Sequence, residues 1–170
     1  MRSKLFLILA AVVSVSACGS APATPASPVE GAWRFSELQR VSADGETTTI
    51  PVQESMILFS GGHYSIAFSS GDSRVPPYAE VWAPTEEEVL ARMASIVVNS
   101  GAYEISGSTL TTHPIFALVP SYIGGRAEYE FSLSGDTLTL RVMNIVSADG
   151  VQLPLITQGS SDVYTLVRLN

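Results

Sequence analysis

The chain has 170 residues, of which 46% are hydrophobic, and it carries a formal net charge of −7 at pH 7. This length fits one ordinary domain with its own core. Because the acidic balance repels phosphate groups and no cluster of Lys or Arg offsets it, we expect no nucleic-acid partner.

Residues 1–17 are predicted to be a secretory signal peptide. Arg2 and Lys4 give a positive start, and residues 5–15 form an apolar run too short to span a bilayer comfortably. Small residues then precede Cys18, a placement that resembles the lipobox of bacterial lipoproteins. The resemblance implies cleavage before Cys18 and a lipid on that residue. An ordinary signal peptide that is cut nearby is the alternative.

Residues 18–29 are predicted to be the lipidated cysteine and a flexible tether. The stretch is made of small residues and prolines, which bury too little apolar surface to order themselves. Eleven extended residues reach roughly 35 Å. In lipoproteins of the Gram-negative type an Asp after the cysteine favours the inner membrane. Gly19 stands there, so the resemblance implies attachment to the outer membrane, facing the periplasm, through the lipid on Cys18.

Residues 30–170 are predicted to form the folded domain, which begins with two hairpins. Strands 33–41 and 46–52 flank Asp-Gly at 44–45, and a two-residue loop there puts Gln39 opposite Ile50. The next strands flank a Gly-Gly pair at 61–62. That loop pairs Phe59 with Tyr64 and Ile57 with Ile66, which places Phe68 on the same apolar face and His63 on the other.

A helix is predicted over 85–99. Thr85 and Glu88 have the spacing of a capping box, and apolar residues follow at helical spacing as far as Val97. The three glutamates at 86–88 suit the positive end of the helix dipole better than a metal site. Segment 78–82, before the helix, is compatible with a short strand.

Two further hairpins are predicted after the helix. A loop at 107–108 pairs Ile105 with Leu110 and Tyr103 with Thr112, and the strand is expected to fail at Pro114. A loop at 135–136 makes the clearest hairpin. Its pairs are Leu133–Leu138, Phe131–Leu140 and Tyr129–Val142 on one face, and Ser132–Thr139 and Glu130–Arg141 on the other.

Two strands are predicted to end the chain, over 151–157 and 163–169. The pentapeptide at 146–150 repeats the one at 41–45, which we interpret as shared turn chemistry because the similarity stops after the glycine. Ten or eleven short strands joined mostly by hairpin loops favour an antiparallel barrel or two packed sheets.

Several segments carry a family resemblance through their order and spacing. They are Trp33-Arg34-Phe35, residues 60–65, residues 101–105, Thr111-Thr112-His113, Pro120 with Gly124, residues 135–138 and the strand 164–169. Together they resemble bacterial lipocalin-like domains over roughly residues 30–169. The resemblance implies an all-β fold, mainly an antiparallel calycin-type β-barrel, here with one inserted helix. The resemblance implies a fold rather than an activity, because most members of the family have no assigned activity.

The inward parity of the strands predicts an aromatic barrel interior, which either fills the barrel or lines a ligand pocket. Asn144 shares the inward parity of Val142 and is a candidate polar anchor, although a bulge there would reverse its direction. The candidate ligand-binding residues are Trp33, Phe35, Phe59, Tyr64, Phe68, Tyr103, Tyr129, Phe131 and Asn144.

No catalytic residues, metal ligands or cofactors are expected. The chain has no G-x-S-x-G elbow and no H-E-x-x-H motif, and His63 and His113 are predicted on the outer face. Glu128 and Glu130 alternate with inward aromatics, which indicates a solvated face. Three hypotheses remain: a membrane-anchored barrel that binds a small, mostly apolar ligand; a structural or interaction barrel that works through helix 85–99 or the loop 69–77; and, least supported by the residues, an enzyme.

Overall fold

The computed structural model describes residues 27–71 and 76–169. Cys18, the signal peptide and most of the predicted tether lie outside these residues. Nine antiparallel strands and two short helices follow one another in chain order. They are β1 (Gly31–Val41), β2 (Thr47–Ile50), β3 (Met56–Ser60), β4 (His63–Ser69), α1 (Glu86–Ala94), β5 (Ile96–Ser106), β6 (Thr109–Ala117), β7 (Arg126–Ser134), β8 (Thr137–Val146), α2 (Pro154–Thr157) and β9 (Ser161–Arg168).

The strands close into an eight-stranded antiparallel barrel, which confirms the predicted fold class. From β3 to β8 each strand pairs with the strand that follows it in the chain. β1 pairs with both β3 and β9 and completes the ring. β2 extends one edge of β1 beyond the ring. Closure leaves no long unpaired edge on the ring, which protects an all-β fold against edge-to-edge association.

The two ends of the barrel differ. Because neighbouring strands alternate in direction, the tight turns at 61–62, 107–108 and 135–136 all lie at one end, together with the start of β1 and the end of β9. We call this the turn end. The opposite end, which we call the loop end, carries α1, the Pro120–Tyr122 3-10 turn and α2.

Three hairpin registers are confirmed. Phe59 pairs with Tyr64 and Ile57 with Ile66 between β3 and β4, and Tyr103 pairs with Thr112 between β5 and β6. All five predicted pairs between β7 and β8 occur as well. In each hairpin a glycine with positive φ forms the two-residue turn, so the loop length determines the register.

The register predicted for the first hairpin is wrong by one residue. Leu38 pairs with Ile50, and Gln39 pairs with Thr49. The reason is a three-residue loop at 43–45, in which the Ser42 backbone N–H donates to the Glu46 carbonyl and Gly45 has φ +86°. A three-residue loop of this kind shifts the pairing relative to a two-residue turn.

The repeated pentapeptide forms the same turn twice, as predicted. The Ser147 backbone N–H donates to the Val151 carbonyl, as that of Ser42 does to Glu46. In both copies the serine hydroxyl donates to the aspartate that follows it, Asp44 or Asp149. These contacts hold the pKa of each aspartate below its usual value.

The predicted helix over 85–99 is too long. Its start is confirmed, because Thr85 and Glu88 form the capping box, but α1 ends at Ala94 and residues 96–99 belong to β5. Pairing with β4, in which Val98 lies opposite Ala67, outweighs the helical spacing of Ile96 and Val97. Tertiary pairing of this kind commonly overrides a local pattern.

The strand predicted over 151–157 and the one considered at 78–82 are absent from the described residues. The first holds a single bridge, between Val146 and Gln152, before Pro154 begins α2. The second is bends and a turn. The prediction that the strand fails at Pro114 is also wrong, since β6 continues to Ala117.

β6 passes Pro114 because its partner at that point is Gly101, beside a bulge in β6 at Ile115. A Cβ added at Gly101 would lie 1.9 Å from the His113 carbonyl oxygen, so only glycine permits this close backbone approach. The bulge leaves β5 and β6 joined along the barrel wall, where both contribute side chains to the interior.

Candidate functional site

The turn end is closed by the segment that enters β1. Val29 and Trp33 are fully buried, and the Trp33 indole N–H donates to the Val29 carbonyl over 2.8 Å. The predicted tether therefore extends too far, because Val29 packs as part of the barrel. Arg168 lies over the Trp33 ring at 4.1 Å and also donates to the Glu30 carbonyl.

Phe59 and Tyr103 pack beside this closure. Their ring centroids are 5.0 Å apart in an edge-to-face arrangement, and the Tyr103 hydroxyl donates to the Glu30 carboxylate over 3.1 Å. The Gly61 backbone N–H donates to the same oxygen. The turn end is thus filled by side chains and by its own hydrogen bonds.

A second aromatic group lies between the closure and the loop end. The rings of Phe35, Phe68 and Tyr164 contact one another with centroids 4.9 to 5.7 Å apart. Phe35 and Phe68 are buried, whereas Tyr164 keeps some accessible surface. Three such rings give an apolar ligand a large contact area with little conformational freedom to lose.

Four phenols converge above these rings, and we call Tyr64, Tyr122, Tyr129 and Tyr164 the tyrosine cluster. Burial is the main cause that raises the pKa of each phenol, and the Tyr122 phenol raises the pKa values of the other three further. All four phenols therefore stay neutral at physiological pH and can both donate and accept hydrogen bonds.

Thr112 lies at the centre of the cluster. Its hydroxyl is close enough to Tyr64, Tyr122 and Tyr129 to lower the pKa of each phenol against the effect of burial. Yet within the described ranges no donor or acceptor reaches the Thr112 hydroxyl in hydrogen-bonding geometry, although the residue is only 2% exposed. An unsatisfied hydroxyl at such a depth is costly, which makes the position informative.

The hydroxyls of the cluster are not used equally. The Tyr64 hydroxyl donates to Asn99 over 2.6 Å. For Tyr122, Tyr129 and Tyr164, no hydroxyl hydrogen bond to any part of the chain at 27–71 or 76–169 is formed, and all three residues keep some accessible surface.

A bidentate ion pair stands next to Tyr164 on the closing strands β1 and β9. Arg40 donates to both carboxylate oxygens of Asp162, at 2.8 and 3.0 Å. This hydrogen bonding is the main cause that raises the pKa of Arg40. Each ion of the pair therefore neutralises the other, and neither offers an unpaired charge to a ligand.

The predicted site residues fall into two groups. The residues that belong to the barrel core or pack against it are Trp33, Phe35, Phe59, Tyr64, Phe68, Tyr103, Tyr129 and Phe131. Of these, Trp33, Phe59 and Tyr103 form the closure, Tyr64 follows the 61–62 turn at the same end, and Phe35 and Phe68 lie further toward the loop end. A role in ligand binding remains a prediction for all of them.

The prediction that Asn144 faces the interior is wrong. A bulge between β7 and β8 leaves Met143 without a partner and pairs Asn144 with Glu128, whose carboxylate accepts from Arg126. The Asn144 carbonyl accepts from Gln152 at the surface. The extra residue reverses the parity of the strand beyond Val142, as a bulge always does.

Four residues of the site were missed: Asn99, Thr112, Tyr122 and Tyr164. The alternation of Tyr164 with buried Leu166, and the pairing of Thr112 with Tyr103, were signals that could have identified two of them. Asn99 was assigned to the end of a helix. Tyr122 belongs to the 3-10 turn, so no strand parity predicts its direction.

Polar residues elsewhere do not assemble a reactive centre in the described part of the chain. His63 is exposed, and the ring of His113 reaches only Glu104, at 3.3 Å on the surface. Glu128 and Glu130 form surface ion pairs with Arg126 and Arg141. Over residues 27–71 and 76–169, no group of three or more metal-ligating side chains occurs.

The helices of this part are all too short or too polar to cross a bilayer.

Comparison with known proteins agrees with the barrel. A family model described as a lipocalin-like domain matches residues 30–154. No curated protein was found to match the chain. The matched segment includes the tyrosine cluster except Tyr164, which lies on β9 beyond it. Because the match covers most of the chain, and the strands close as a lipocalin-like barrel requires, this protein belongs to the lipocalin-like domain family.

Proposed function

We propose that the protein is a non-catalytic, membrane-anchored lipoprotein whose barrel binds a small, mostly apolar ligand. The supporting observation is the unequal filling of the barrel. One end is closed by buried side chains around Trp33, while Tyr122, Tyr129 and Tyr164 keep some accessible surface. Small barrels with this character hold one small ligand in an apolar interior.

An interior substitution tests this proposal. We expect the Cys18→Ser full chain, which carries no lipid of its own, to bind the apolar fluorescent dye N-phenyl-1-naphthylamine with micromolar affinity. Ile66→Phe, which adds volume at a half-buried position packed against the core, should weaken dye binding at least tenfold. Fluorescence titration measures both affinities, and circular dichroism reports whether each variant folds.

The matched control is Ala67→Phe, the next residue of β4, whose side chain lies on the exposed face. It should leave dye affinity within twofold of the parent. If Ile66→Phe does not fold, Ile105→Phe makes the same test from β5. A parent chain that binds no dye, or equal affinities for the interior and exterior variants, would refute the ligand-binding proposal.

The anchor is the second part of the proposal. It rests on the position of Cys18 after an apolar run and on Gly19. We expect the wild type expressed in a Gram-negative host to incorporate radiolabelled palmitate and to fractionate with the outer membrane. Cys18→Ser should lose the label completely, and Gly19→Asp should keep the label but move to the inner membrane. Palmitate on the Cys18→Ser chain would contradict the assignment.

A second candidate function is an interaction barrel that works through its outer surface. The observation that favours it is the exposed apolar group around α1: Trp82 is 95% exposed, Val81 68% and Leu90 59%. The other surface predicted for this role, the loop 69–77, is only partly within the described residues. The dye titration separates the two functions, because an interaction barrel with a filled interior binds no dye.

A further inference from the structure

We infer that the tyrosine cluster is a recognition site for an uncharged, oxygen-bearing head group, such as an alcohol, ester or amide, on an otherwise apolar ligand. This inference rests on the proposed function and specifies the ligand that the barrel takes. It begins from a contrast within the interior: apolar side chains cover the wall, and the phenols of Tyr122, Tyr129 and Tyr164 form one polar patch.

The hydrogen-bonding capacity of this patch exceeds what the protein uses. Tyr64 is engaged by Asn99, but no described residue bonds to the hydroxyls of Tyr122, Tyr129 or Tyr164. The buried Thr112 hydroxyl also lacks a hydrogen-bond partner among the described residues. Buried polar groups are nearly always paired, so the unsatisfied Thr112 hydroxyl, in a cluster whose phenols keep accessible surface, indicates that a ligand atom can pair there.

The charges around the patch decide the class of head group. Arg40 is bound through two hydrogen bonds to Asp162, and Arg168 lies over Trp33 at the far end of the barrel. A carboxylate at the phenols would therefore find neither of these two arginines free and would lose its hydration without compensation from them. A cation would find the Asp162 carboxylate already paired. Neutral oxygen groups accept from phenols and donate to them at no such cost.

The positions of the three phenols suggest how the ligand is held. Tyr129 and Tyr164 project from strands β7 and β9 of the barrel wall, whereas Tyr122 comes from the 3-10 turn at the loop end. The ligand's apolar body then lies against Phe35 and Phe68, whose rings contact Tyr164 or each other. Its oxygen reaches the phenols, with Tyr122 on the side from which the ligand enters.

A competition experiment tests the inference with the Cys18→Ser full chain and the naphthylamine dye. At pH 7.5 we expect 1-decanol to displace the dye at a concentration at least tenfold lower than decanoate. Tyr129→Phe and Tyr164→Phe remove one hydroxyl each and keep the ring, so each should weaken decanol binding by about 3- to 10-fold, the effect of one hydrogen bond. The dye affinity of each variant is titrated first, and its decanol affinity is calculated from displacement of the dye against that value.

Tyr78→Phe is the matched control, because Tyr78 lies outside the strands, in the segment between β4 and α1, and it should alter neither affinity. Dye binding together with equal displacement by decanol and decanoate would overturn the inference and leave the proposed function standing. So would decanol affinities that the two cluster variants leave unchanged. Absence of dye binding to the parent chain would overturn the proposed function and the inference with it.

Discussion

We expect the free energy of unfolding to be constant from about pH 7 to 9 and to fall steeply above about pH 10. Burial raises the pKa of Tyr64, Tyr122, Tyr129 and Tyr164 in the folded barrel above the ordinary value of 10.0. Above pH 10 the unfolded chain therefore loses phenolic protons that the folded chain keeps. Since the unfolded state then binds fewer protons, rising pH favours unfolding.

The size of the effect follows from the number of phenols. Each phenol that stays neutral only in the folded state changes the free energy of unfolding by about −1.4 kcal/mol per pH unit. The four phenols of the cluster together approach about −5 kcal/mol per pH unit. A domain of ordinary stability, about 5–15 kcal/mol, should thus unfold within roughly one to three units above pH 10. Urea titrations followed by circular dichroism between pH 7 and pH 11.5 measure this slope.

Tyr129→Phe provides the control, because it removes one ionisable group and leaves the ring. The alkaline slope of this variant should be smaller than that of the parent by about 1.4 kcal/mol per pH unit, the contribution of one phenol. A free energy of unfolding that stays constant through pH 11, or an unchanged slope in the variant, would show that the phenols ionise in the folded barrel.

The second large effect is expected from Trp33→Ala, which should lower the free energy of unfolding by about 3–5 kcal/mol. Trp33 is fully buried, donates to the Val29 carbonyl and stacks under Arg168. Its removal leaves a cavity at the turn end and releases the segment that closes it. Urea unfolding monitored by circular dichroism is the appropriate measurement, because the substitution also removes a fluorophore.

Trp82→Ala is the natural comparison, since Trp82 is the other of the two tryptophans and is 95% exposed. Its free energy of unfolding should stay within about 0.5 kcal/mol of the parent value. Similar losses for the two variants would mean that the closure around Trp33 contributes little to stability.

The parts of the fold that were predicted correctly share a physical basis. The hairpins at Gly61-Gly62, Gly107-Ser108 and Gly135-Asp136 have two-residue turns, and each turn determines its strand register from adjacent residues alone. The capping box at Thr85 is likewise a local feature. These predictions needed no knowledge of the rest of the chain.

The errors occur where contacts distant in sequence decide. Ile96 and Val97 continue a helical pattern, yet they pair with β4 and belong to the sheet. The bulge at Met143, visible only from the pairing of β7 with β8, turns Asn144 to the surface. The candidate site was found in part for the same reason. Strand parity identified Tyr64 and Tyr129, but nothing local indicates that Tyr122 enters the barrel from a 3-10 turn.

The sequence by itself determined the antiparallel hairpins, the aromatic interior and the likeness to lipocalin-like domains, because alternation and turn chemistry act between near neighbours. Only the tertiary structure decided that β1 and β9 close the ring, that Val29 and Trp33 close one end, and that phenols from β4, β7 and the 3-10 turn meet around Thr112. These features join residues far apart in the chain, so their positions depend on bulges and barrel closure that local patterns do not encode.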